Sequence, residues 1–251
     1  MAKIRISAVK YANTYPFIYG LTKSGFDKKV ILSTDHPAQC AEKLIGGKVD
    51  IGLIPVAVLP LMKEHYIVSN YCIGANGYVR TVMLLSNCPF EDIDTICLDY
   101  RSRSSVNLIK VLAKNSWKRE FNWVNTSKGF DFVNIGFKEA VVLIGDQCFE
   151  YERRFRFQVD LAMAWKEYTG LPFVFACWTA NKKLEEEFID EFNAALAPGV
   201  KNIDAVVEEF GDTGTIRGSD LKDYLTHNID YILDDDKKKA MTLFLDLMGK
   251  L

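Results

Sequence analysis

The sequence predicts a mixed α/β protein of two lobes around a central ligand cleft, and three observations predict it. The first 55 residues alternate strand and helix in the order β-α-β-α-β, which builds a parallel sheet with helices on both faces. A second strand–helix unit opens after Pro89, behind a strand-like run that no long helix interrupts. No Pro- or Ser-rich linker divides the chain, so two lobes must be joined through ordered strands, with crossings expected near residues 85–89 and 173–178. That division makes residues 1–87 plus 178–251 a discontinuous first lobe and residues 88–177 an inserted second lobe. The groove between two such lobes is where a small molecule binds by default.

Each element follows from its pattern. Residues 3–9 are a β-rich run ending in the loop 10–14. Residues 15–25 read as a helix, with Pro16 suited to its first turn and Gly25 to its end. Residues 30–34 form a second strand. Residues 37–45 form a helix carrying Ala38, Ala41, Leu44 and Ile45 on one face, closed by Gly46 and Gly47. The largely apolar stretch 49–54 is a strand covered on both faces. Residues 72–86 are strand-like. Then come a strand at 95–98, a loop at 99–103, a helix at 104–114, a buried strand at 139–144, a helix at 160–168 and an apolar strand at 171–179. From Leu184 the periodicity is helical, with breaks at Gly199, at 211–214 and at 227–230. The run DDDKKK at 234–239 reads as a solvated helix start, acids first and bases after.

Composition narrows the function classes. At 251 residues, 49% apolar and 25% charged, the chain is that of an ordinary globular protein large enough to bury a sizeable core. A net charge of −2 with scattered lysines and arginines gives no nucleic-acid surface. No apolar stretch is long enough to span a bilayer, and the N-terminal MAKIRISAV lacks the features of a secretory signal, so a cytoplasmic protein is expected. Six cysteines at irregular spacings, mostly in apolar runs, are expected to be buried free thiols. His36, His65 and His227 are isolated, which argues against a metal site or a histidine triad. Trp165 and Trp178 are expected in the core or the cleft wall.

Four loops follow predicted strands, where open α/β sheets present ligand-binding groups. The first is Tyr11-Ala12-Asn13-Thr14-Tyr15-Pro16, in which Asn13 is either a functional amide or a helix cap. The second is Gly77-Tyr78-Val79-Arg80-Thr81, whose arginine inside an apolar strand either faces an anion or lies at an exposed edge. In the third, Asp99-Tyr100-Arg101-Ser102-Arg103-Ser104-Ser105, hydroxyls and unpaired N–H groups meet at a helix start. Those donors make a competent carboxylate or phosphate cradle, or simply a capped helix with surface arginines. It lacks the glycines of a nucleotide-binding loop. The fourth is Ile144-Gly145-Asp146, where Asp146 is an acid/base, an anchor or a cap.

Taken in order, these loops resemble the chorismate dehydratases of the futalosine route to menaquinone. The matching residues are Tyr11-x-Asn13-Thr14-x-Pro16 with Tyr19-Gly20-Leu21, Gly77-x-Val79-Arg80, Leu98-Asp99 with Ser102-Arg103-Ser104-Ser105, Ile144-Gly145-Asp146, and Asp160-Leu161 through Trp165 to Thr169-Gly170-Leu171-Pro172-Phe173-Val174-Phe175-Ala176 and Trp178. The resemblance runs from about residue 4 to 180 and weakens after that. It departs from the family at Tyr15, where lysine is frequent, at Thr81, where serine is, and at Tyr78, where proline is. The resemblance implies a fold like that of periplasmic binding proteins of the second type. It also implies an enzyme that removes water from chorismate to give 3-[(1-carboxyvinyl)oxy]benzoate, with no metal or organic cofactor. Asn13 is then the expected catalytic residue, with Asp146 as the alternative base. Arg80, Thr81, Ser102, Arg103, Ser104, Ser105 and Gly145 are expected to hold the small dicarboxylate. Neither nucleic acid nor membrane is an expected partner, and a monomer or weak homodimer is. The rival readings are a non-catalytic carboxylate-binding protein, which would need export, and the related 1,4-dihydroxy-6-naphthoate synthase, which relies on a cleft histidine.

Overall fold

The computed structural model describes residues 3–212 and 214–251. Met1 and Ala2 of the N-terminal run and Thr213 of the 211–214 break lie outside them. In chain order the elements are β1 (Arg5–Val9), α1 (Tyr15–Lys23), β2 (Ile31–Asp35), α2 (Pro37–Ile45), β3 (Ile51–Pro55), β4 (Tyr66–Ala75), β5 (Val82–Ser86), β6 (Thr95–Leu98), α3 (Ser104–Leu112), β7 (Asn122–Asn125), β8 (Glu139–Ile144), α4 (Gln147–Tyr151), β9 (Phe157–Asp160), α5 (Leu161–Thr169) and β10 (Phe173–Ala180). The last stretch holds α6 (Glu186–Lys201), α7 (Ile203–Phe210), α8 (Gly218–Asp223), β11 (Asp230–Ile232) and α9 (Asp235–Met248).

Among the described residues the strands sort into two sheets, β11-β4-β10-β3-β1-β2 and β7-β6-β8-β5-β9. β2, β1 and β3 run parallel, as the β-α-β-α-β pattern predicts, but β10 enters antiparallel between β3 and β4. The second sheet is mixed in the same way, with β5 antiparallel to both its neighbours. The chain passes from the first sheet to the second between Ala75 and Val82, and returns between Asp160 and Phe173. The boundaries expected at 87/88 and 177/178 would leave Val82–Ser86 with the first sheet and 173–177 with the second. Strand pairing groups them the other way. Both segments are buried along their whole length and, Ser86 apart, apolar, so periodicity alone cannot assign them to a sheet.

One hydrophobic core runs through both sheets, and in β5 Leu84 points into it while Met83 and Leu85 join a smaller cluster on the opposite face. Trp165 and Trp178 are fully buried in the large core, and all six cysteines are buried and free. Gly199, expected as a break, instead lies inside α6, where a Cβ would come within 1.7 Å of the Pro16 carbonyl. A Cβ on Gly20 would likewise stand 2.4 Å from the Ala195 carbonyl of that helix, so both glycines let α1 and α6 touch backbone to backbone. The acidic and basic run does start α9, capped by Asp234. Lys237 within it is not solvated: it is 1% exposed and pairs with Asp230 at 2.6 Å and Asp234 at 2.9 Å. A buried ammonium is tolerated only with such partners.

Candidate functional site

Five loops converge where the carboxyl ends of β1, β2, β3, β6 and β8 meet, the position at which open α/β sheets bind ligands. They enclose a cleft of about 510 Å³, counting its open mouth. Its walls are apolar, with Val9, Ile73, Val79, Ile144 and Phe175, and a few polar groups project from opposite sides. Of the nine residues expected in the site, Asn13, Thr81, Ser102, Ser104, Ser105 and Gly145 line this cleft, and Arg80, Arg103 and Asp146 do not.

Asn13 sits on a 3-10 turn, Ala12–Thr14, between β1 and α1. It is no helix cap: its Oδ1 accepts from the Thr14 hydroxyl at 3.3 Å, and its backbone carbonyl accepts from the Tyr231 hydroxyl at 3.0 Å. Tyr11, two residues earlier, also faces the cleft, and burial pushes its phenol well above the ordinary value. The ring is fitted to Gly145, where a Cβ would stand 2.6 Å from it. Gly145 has φ of +73° as well, so steric room and backbone conformation both demand glycine here.

The serine loop divides its labour. Ser102 Oγ accepts from the Ser105 N–H at 3.1 Å and so caps α3, while Ser104 Oγ donates to the Phe175 carbonyl at 2.8 Å. Ser105, only 3% exposed, keeps a hydroxyl at the cleft surface. Behind the loop the fully buried Asp99 holds Arg101 in a two-pronged bond, at 2.8 and 2.7 Å, and accepts from the Gln147 amide at 3.0 Å. This buried pair fixes the path of the chain into α3.

Arg80 and Thr81 lie in a turn, not inside a strand. Arg80 adopts φ of +61°, uncommon for a residue with a side chain, while its N–H and that of Val79 bond to Asp160 Oδ2 at 2.8 and 2.9 Å. Its guanidinium lies over the Phe149 ring at 5.0 Å and reaches Glu152 at 3.4 Å, so the arginine is paired with the protein itself. Thr81 does turn inward, and its hydroxyl is bonded to that of Tyr224 at 2.8 Å.

Asp146 begins α4 without capping it. Both carboxylate oxygens accept the Ala12 N–H, each at 3.1 Å, which ties the second sheet to the loop that carries Asn13. Burial raises the carboxyl to about 6 against the opposing pull of that hydrogen bond. Arg103 faces outward, bonding the Tyr100 and Ser102 carbonyls and lying 3.9 Å from Glu42.

A second, wider chamber of about 1530 Å³, largely open to solvent, shares Ser102 with the cleft. Lys10, His36, Arg101, Arg103 and Lys128 border it, against the acids Glu42 and Asp99. The inner cleft holds no such charges: Tyr11 is its single ionisable side chain among the described residues. None of the described His, Cys, Asp or Glu residues form a group of three suited to a metal ion, and no described helix is long and apolar enough to cross a membrane.

A family model described as menaquinone biosynthesis matches residues 4–250. The chain belongs to this family. Within the curated proteins it is 22% identical to the chorismate dehydratase of Thermus thermophilus, over 96% of this chain and 93% of that one. The family fold is also seen in solved structures. Protein AF1704 of Archaeoglobus fulgidus superposes with a TM-score of 0.76 at 14% identity, covering 99% of this chain and 97% of that one. A Candida albicans gene product described as having the generic periplasmic binding protein fold superposes at 0.69 and 11% identity, over 100% of this chain and 91% of its own. This is the architecture the sequence motifs imply. Tyr224 is the cleft-side residue those motifs miss: it comes from a C-terminal segment whose only signal is apolar periodicity.

Proposed function

We propose that the inner cleft binds chorismate and removes water from it, giving 3-[(1-carboxyvinyl)oxy]benzoate as an early step of menaquinone biosynthesis by the futalosine route. The observation that carries this reading is the lining of the cleft: six of the nine residues expected in the site gathered around a space with no carboxylate, imidazole or amine in its walls. The family and the Thermus relative support the same substrate.

The chemistry asks little of the protein beyond position. Chorismate loses the proton on C3 and the hydroxyl on C4, and the ring becomes aromatic, which drives the reaction. With no side-chain base at hand, the substrate's own enolpyruvyl carboxylate takes the C3 proton. That carboxylic acid then gives the proton to the departing C4 hydroxyl, which leaves as water and restores the carboxylate. Asn13 orients that hydroxyl or the ring, and the α3 start with Ser105 receives one carboxylate through N–H and O–H donors. Apolar walls hold the ring and exclude competing water. Asp146 is the poorer base because both its oxygens already accept the Ala12 N–H and it does not line the cleft.

The test is to mix purified protein with chorismate and analyse products by liquid chromatography and mass spectrometry. A benzenoid species one water lighter is the expected result. Unchanged chorismate without a thermal shift overturns the proposal, and a thermal shift without turnover favours a binding protein.

A further inference from the structure

We propose that Tyr224 and Tyr231, from the C-terminal segment that carries no motif, are positioning residues that clamp Asn13 and Thr81 in the cleft wall. The catalytic consequence rests on the dehydratase reading above. The clamp itself rests on geometry.

Asn13 stands on a single short turn, where its carboxamide meets the Thr14 hydroxyl of that same turn at 3.3 Å. Two buried tyrosine hydroxyls from a distant segment hold the wall around it. Tyr231 donates to the Asn13 carbonyl at 3.0 Å and so pins the turn's backbone. Tyr224, fully buried, bonds Thr81 Oγ1 at 2.8 Å. Thr81 in turn donates to the Val79 carbonyl at 3.4 Å and accepts, through its own carbonyl, the Gly145 N–H at 2.9 Å. The Tyr224 phenol therefore ties the C-terminal segment to the crossing between the sheets and, through Thr81, to the loop after β8, while the Tyr231 phenol ties it to the loop after β1. A buried hydroxyl is costly unless bonded, so its partners are held firmly in place.

Local structure supports the assignment. Tyr224 opens a π-helical turn, Tyr224–Asn228, a rare geometry that gathers at functional sites. Its ring meets Phe149 edge-on at 5.1 Å, and Tyr231 meets Phe17 at 5.4 Å. Phenylalanine keeps both ring contacts and removes only the hydroxyls, which makes Tyr224→Phe and Tyr231→Phe clean probes.

The experiment has two arms on the full chain. In the first, kcat and KM for chorismate are measured with the melting temperature. Tyr224→Phe is expected to lower kcat by about tenfold to a hundredfold while KM moves less than about twofold, as for a misplaced group felt mainly in the transition state. Thr81→Val, which removes the partner and leaves Tyr224 in place, should reproduce the loss, and Thr81→Ser should restore activity. In the second arm, protein labelled with side-chain ¹⁵N-asparagine reports the Asn13 amide, assigned by its disappearance in Asn13→Asp. Protection of that amide from hydrogen exchange should fall in both tyrosine variants. Unchanged kcat together with unchanged protection overturns the clamp. A wild-type protein that never turns over chorismate overturns the dehydratase reading alone, because the amide arm still decides the clamp.

Discussion

The inner cleft and the outer chamber share Ser102 and differ in almost everything else. The cleft has apolar walls, hydroxyls, a carboxamide and a single phenol. The chamber is wide and bordered by four lysine and arginine side chains against two acidic ones, in a molecule whose net charge is −2. On the proposed reading, the difference separates two tasks. Charge at a solvated mouth attracts an anion over a distance of about a Debye length, whereas neutral, packed donors in a dry pocket fix its orientation. Substitutions in the cleft should therefore act on turnover, and substitutions in the chamber on capture.

Asn13→Ala is the sharpest way to break that comparison. Turnover of chorismate should fall by about a hundredfold or more with KM little changed, and a loss under tenfold would remove Asn13 from its central place. Gly145→Ala comes next. The new methyl must share space with the Tyr11 ring at a positive φ, which should destabilise the fold by about 1–3 kcal/mol in urea and cost roughly tenfold in kcat as the ring is displaced.

Asp146, which lines neither region, is tested through pH. Burial raises its carboxyl to about 6 in the folded protein, above the unfolded value, so the folded state holds the extra proton between roughly pH 4 and 6. The contribution is thus most favourable at the acid end and is lost as pH rises through about 6, by an amount on the order of 3 kcal/mol. Asp146→Asn should flatten that part of the stability profile while turnover stays within about tenfold of wild type. Abolished turnover with binding intact would instead make Asp146 the base.

The smallest effect is expected in the chamber. The double substitution of Lys10 and Lys128 by glutamine should leave kcat unchanged and lower kcat/KM by about twofold to fivefold at low salt. The difference should vanish at high ionic strength, since exposed charges are screened over about 3 Å in molar salt. An effect on kcat, or one that survives high salt, would mean that the chamber holds substrate in the transition state.

The paired fates of the serine and arginine loops show how far residue patterns reach. Serines before an apolar helical run announce a capped helix start after a strand, and Ser102–Ser105 lie there because capping is a local interaction among near neighbours. Arg80 was equally conspicuous, but its direction depends on a positive φ held by Asp160, a partner 80 residues away. Asp146 looked like a local cap, and the N–H it serves belongs to Ala12, on the other side of the cleft.

By itself, then, the sequence determined the α/β alternation, the buried strands and the loops that carry the site, because periodicity and capping act over a few residues. Tertiary structure alone decided the antiparallel insertion of β10, the sheet to which β5 belongs and the pairing of Lys237. It also turned Arg80 away from the cleft and brought Tyr224 to Thr81, 143 residues apart in the chain. Those outcomes depend on what lies across the fold: desolvated polar groups take whichever distant partner the packing brings within reach.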